Sequence, residues 1–140
     1  MKFLYTSLLL ISLMCTPAVA DYTPGVTSEP CGNGTGRVVI GNNGKSYCKS
    51  TRVFNWWSAM SWCQSIGMEL ISYPEDCICA GEKCPQVQCP NFAISNWNFI
   101  WTSNVDKDNR TLVIAGNGSV SSGGGYGNPA GSNWAVCRMP

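Results

Sequence analysis

Eight cysteines carry most of the chemistry open to this sequence. They stand at positions 31, 48, 63, 77, 79, 84, 89 and 137, and a ninth, Cys15, lies in an apolar leader. Thiols so placed can act as nucleophiles, metal ligands or disulfide partners. A nucleophilic cysteine needs a neighbouring base or cation to lower its pKa. The chain has no histidine, and nothing around Cys63 supplies such a group. Without histidine, Ser-His-Asp machinery, Cys-His pairs and HExxH zinc sites are all excluded. Cys77-x-Cys79-x4-Cys84-x4-Cys89 gathers four thiols, but zinc sites more often show two CxxC knuckles. The expectation is therefore a disulfide framework in an exported chain, with no metal and no cofactor.

The carboxylates are Asp21, Glu29, Glu69, Glu75, Asp76, Glu82, Asp106 and Asp108. Glycoside hydrolysis would need two of them converging across a cleft, and no pair has a catalytic context. Asp106-x-Asp108 resembles a fragment of a calcium loop, without the spaced ligands and closing Glu of an EF-hand. The tracts CGNGTG and SSGGGYGNPAGS lack the Gly-Lys-Ser/Thr ending of a phosphate loop and read as plain loops. Asn33, Asn109 and Asn117 each begin an Asn-x-Ser/Thr sequon, which matters only in a host that glycosylates.

Residues 1–20 read as a secretory signal peptide. Lys2 precedes an apolar run, and Ala18-Val19-Ala20 gives the small-x-small cleavage pattern. The expected location is extracellular, or periplasmic in a bacterium. Beyond Lys2, eight basic residues balance eight acidic ones, so no basic patch points to nucleic acid. No second apolar run follows, so no membrane insertion is expected. The remaining stretch of about 120 residues suits one domain with one core.

Residues 21–30 (DYTPGVTSEP) read as a loosely held leader. RVVIGNNGKSYCKS then alternates β-branched and polar residues around an Asn/Gly turn, which predicts a hairpin flanked by Cys31 and Cys48. A helix follows, with Asn55 as N-cap, a stripe of Trp56, Ala59, Cys63 and Ile66, and Gly67 at its end. MELIS reads as a short strand before a cysteine-rich insert, 75–90. PNFAISNWN, opening at Pro90, reads as a second short helix. FIWTSNV, TLVIAG, SVSS and NWAVCRM read as strands, with a Gly-rich tract between the last two. The pattern is α+β, with two short helices and antiparallel strands.

Together these residues carry a family likeness. Tyr47-Cys48, Trp56, Ala59, Trp62-Cys63, Ile66-Gly67 and Glu69-Leu70 resemble the N-terminal half of a C-type lectin-like domain. FIWTSN, with Trp101, is similar to that family's central strand, and NWAVCRM to its terminal strand. The resemblance implies that 31–140 is one disulfide-stapled domain of that fold. It also implies bridges from Cys63 to Cys137 and from Cys31 to Cys48. Cys77, Cys79, Cys84 and Cys89 would then pair within the insert, crossed or nested. The family's calcium-dependent sugar binders carry Glu-Pro-Asn or Gln-Pro-Asp and then Trp-Asn-Asp. This chain has Gly127-Asn128-Pro129 and Asn133-Trp134, with no carboxylate after Asp108. Calcium favours several oxygen donors, carboxylates among them, so the resemblance extends to a compact fold without that site.

The function expected is non-catalytic, calcium-independent binding of an extracellular protein or glycan through the Gly-rich loop 116–133. Tyr126, Asn128, Asn133 and Trp134 would supply stacking and hydrogen bonds. The alternatives are a small secreted carbohydrate-active enzyme, or a structural, pilus-associated surface component.

Overall fold

The computed structural model describes residues 23–77, 89–95, 98–105, 108–118, 120–121 and 128–140. The architecture is α+β, built on one sheet. Its strands are β1 (Gly25–Cys31), β2 (Gly36–Ile40), β3 (Ser46–Phe54), β4 (Glu69–Leu70), β5 (Phe99–Val105), β6 (Thr111–Ala115), β7 (Val120–Ser121) and β8 (Asn133–Arg138). The helices are α1 (Trp56–Ser65) and α2 (Tyr73–Asp76). The sheet runs β1-β2-β3-β8-β5-β6-β7, and β4 also pairs with β8. Thus β8 is central. It meets β3 along one edge, while β4 and β5 share the other at its two ends. Every pairing is antiparallel except β5 with β8, which departs from the all-antiparallel expectation. A parallel pair needs a long crossover, and here β6, β7 and the Gly-rich tract intervene.

Side chains alternate across the two faces of the sheet, as a period of two demands. Val38, Cys48, Trp101, Val113, Ala135 and Cys137 point to one face, where Ala59 and Cys63 of α1 cover them. Their neighbours Val39, Tyr47, Ile100, Ile114 and Val136 point to the other, under Ile71, Cys89 and Phe92. Trp101 is wholly buried, and its indole N–H donates to the Phe54 carbonyl at 2.7 Å. Ser50 keeps the sheet satisfied where β3 bulges between Lys49 and Val53. Its hydroxyl accepts from the Ala135 amide and donates to the Arg52 carbonyl.

Helix α1 begins and ends where the sequence signals it. The Asn55 side chain accepts from the Ser58 amide at 2.8 Å, and Gly67 takes φ +73° just past the C-cap. Cys63 is bridged to Cys137 and Cys31 to Cys48, the two pairs that the resemblance implies. Gly36 lets the second bridge close, since a Cβ there would lie 2.7 Å from the Cys48 sulfur. Cys77 is bridged to Cys89, the nested arrangement for those two, while Cys79 and Cys84 lie outside the described residues.

Two expectations are corrected. The 21–30 segment is not loose throughout, because Gly25–Cys31 pairs with β2 as an edge strand. Residues 90–95 form no helix. Asn91 accepts from the Ala93 amide, Ala93 takes φ 53°, and the Asn91 and Phe92 amides bond to Asn42 and Gly116. Those local and long-range partners satisfy the backbone that a helix would have used. The second helix is instead α2, on the N-terminal side of the insert.

Candidate functional site

Of the residues singled out for binding, the described ones differ in exposure. Tyr126 lies outside the described residues. Asn128 is exposed and opens a turn, its side chain accepting from the Ala130 amide and its carbonyl from the Gly131 amide. Asn133 is only 7% exposed and pairs with Phe54 in the β3–β8 ladder, so it sits inside the sheet rather than on a loop. Trp134 is half-buried. Its N–H donates to Asn98 Oδ1 at 3.2 Å, and the Lys49 ammonium stands 3.4 Å from its ring centroid. One face of that indole is therefore occupied by a cation–π contact.

The turn that Asn128 opens abuts the start of α1, where the Trp56 amide donates to the Pro129 carbonyl at 3.0 Å. Trp56 and Trp57 then part ways. Trp56 packs against the core and donates its indole N–H to the Thr102 carbonyl. Trp57 lies off the helix stripe and leaves 53% of its surface exposed, its ring edge-on to Trp56. Asn55 and Ser58 flank it, both exposed. The described part of the candidate surface is thus a large aromatic ring among amides and hydroxyls, beside the Asn128–Gly131 turn. Sequence reading does not single out Trp57. The signal that sets it apart is its offset from the Trp56-Ala59-Cys63-Ile66 stripe.

Asp106 lies outside the described residues, and Asp108 makes a surface ion pair with Arg110 at 3.2 Å. Among the described residues no group of three or more His, Cys, Asp or Glu could hold a metal ion, and no helix is long and apolar enough to cross a membrane. Comparison with known protein families, curated proteins and solved structures finds no match to this chain.

Lys49 is the group that sequence reading misses, because the indole beneath it comes from the far end of the chain. Burial pushes its ammonium down to about 8. The unfolded chain therefore binds more protons than the fold between pH 8 and about 10.5, and stability rises with pH across that window. Burial acts oppositely on Tyr47 and Tyr73, raising both phenols, Tyr73 to about 12. Their contribution is lost as pH climbs above about 10, where the unfolded phenols ionise. Urea unfolding should thus show a stability maximum between about pH 9 and 10. Lys49→Met should remove the rise and leave the alkaline fall. An unchanged rise in that variant would assign it to another group.

Proposed function

We propose that the chain is an exported, non-catalytic binding module of the C-type lectin-like class. In this reading it contacts an extracellular protein or glycan, without calcium, through the Gly-rich 116–133 region and the start of α1. The observation that carries the binding reading is Trp57, half exposed and next in the chain to Trp56, whose amide bonds the Asn128–Gly131 turn. A tryptophan held open to solvent among neutral hydrogen-bonding groups is the kind of anchor that dominates interfaces. The fold reading is supported by the two bridges and by α1 packing against β8 through Cys63.

The test is an array of glycans and extracellular proteins, probed with the disulfide-intact chain in calcium and in chelator. Retention of the same ligands in both conditions is expected. Trp57→Ala should weaken retention at least about ten-fold, the effect of truncating an aromatic anchor. Its stability should stay within about 0.5 kcal/mol, as for an exposed position. Retention that vanishes in chelator, or survives Trp57→Ala intact, would overturn the reading.

A further inference from the structure

A second candidate site lies at the opposite end of β8. Asn133 and Arg138 bound that strand, so the two ends stand roughly 17 Å apart. There a cavity of about 250 Å³ opens between α1, α2 and β4, with Met60 and the buried Leu70 as its apolar lining. Gln64, Glu69, Ser72, Glu75, Ser103 and Arg138 supply its polar groups.

The electrostatics follow from how Arg138 is held. Its Nε and Nη2 donate to the two carboxylate oxygens of Asp76 at 3.1 and 3.0 Å, and the Asp76 side chain has no exposure. Nη2 also donates to Ser72 Oγ, and Nη1 donates to Glu69 Oε2 at 3.1 Å. The guanidinium is thus fixed from behind by a buried bidentate pair, and it in turn orients Glu69, whose side chain is 78% exposed. Glu75, exposed on α2, also lies near enough to favour the charged guanidinium. Three carboxylates therefore surround one cation, leaving two formal negative charges around a recess lined by both polar and apolar side chains.

We infer that this cleft takes a basic side chain of a partner protein, its aliphatic stem along Met60 and Leu70 and its cationic head between Glu69 and Glu75. The size supports the assignment. The cavity is smaller than the roughly 300–1,000 Å³ of drug-sized ligand pockets, and suits one side chain. Lysine and arginine bury their stems while holding the charged head in a polar setting, which is the distribution this cleft presents. Charge complementarity excludes acidic side chains from the same place. The inference does not depend on the binding surface around Trp57, and its test does not involve that surface.

The experiment is an NMR titration of the disulfide-intact chain with Nα-acetyl-lysine methylamide and Nα-acetyl-arginine methylamide. Nα-acetyl-norleucine methylamide, which keeps an aliphatic stem without the charge, is the control. Shifts should appear at the Met60 methyl and at the Glu69 and Ser103 amides with the charged probes, and should need far more of the norleucine probe. Glu75→Gln lies outside the Asp76–Arg138 pair and should weaken binding about two- to five-fold, as for a solvent-exposed charge partner. Equal response to norleucine, no response to any probe, or unchanged affinity in Glu75→Gln would overturn the assignment. Binding of cadaverine without either blocked amino acid would also overturn it, since the cleft would then admit a free amine but not a chain-borne one.

Discussion

Replacing Cys63 and Cys137 together by alanine should lower stability by about 4–5 kcal/mol, the largest single loss expected from the three bridges among the described residues. The bridge spans a sequence separation of 74, against 17 for Cys31–Cys48 and 12 for Cys77–Cys89. Chain-entropy arguments scale with the logarithm of loop length, which gives about 3 kcal/mol for the Cys31–Cys48 bridge. Packing works in the same direction. Cys63 and Cys137 are both fully buried, and they are where α1 meets the central strand. Small domains have total stabilities of roughly 5–15 kcal/mol, so the double variant should sit near the edge of folding at physiological temperature. Urea unfolding of the two paired-alanine variants, Cys63/Cys137 and Cys31/Cys48, checks the order. If the Cys31/Cys48 variant proved the weaker, loop closure would not be what sets the cost of losing a bridge.

Why α1 and the strands are readable, while parts of the surface are not, comes down to the range of the determining contacts. Asn55, the Ala59–Cys63 stripe and Gly67 act within a few residues of one another, so their roles are visible locally. The two buried faces of the sheet follow from alternation in Val38-Val39, Ile100-Trp101 and Val113-Ile114. Segment 90–95 is different, because its conformation answers to Asn42, which lies 49 residues from Asn91. Pro30 and the polar residues before it hide the edge strand, although an edge is where a sheet tolerates proline. At the candidate site the same distinction applies. Asn133 has the look of a loop amide in sequence, yet β3 runs beside it and buries it. Nothing near Lys49 in the chain announces the Trp134 ring. The pairing of Cys77 could not be chosen from spacing alone, because crossed and nested arrangements close loops of similar length.

Asp76→Ala should cost about 3 kcal/mol, and Arg138→Met should cost at least as much. The two residues form the most buried ion pair among the described residues, with no exposure at the Asp76 side chain and 28% at Arg138. Removing Asp76 frees the Ser72 amide, which now donates to Asp76 Oδ2 at 2.8 Å, and so loosens the first turn of α2. That helix has four residues and no side-chain cap from Ser72, so it has little intrinsic stability to fall back on. Arg138 would keep Glu69 and partial access to water, which holds the cost near the lower end for a broken buried pair. The converse variant strands a carboxylate with no solvent contact, left with only neutral partners, the Ser72 amide and the Tyr47 phenol. The more deeply buried charge sets the larger penalty, so the order of the two variants tests this explanation as well as their size. Replacing both at once, as Asp76→Ala with Arg138→Met, should recover much of the loss, because neither charge is then left unpaired. A double-mutant cycle read by urea unfolding should show coupling of at least about 1 kcal/mol. Strict additivity would mean that the pair is a passive contact, and that α2 is held against β8 by Tyr73 and the apolar face beneath it.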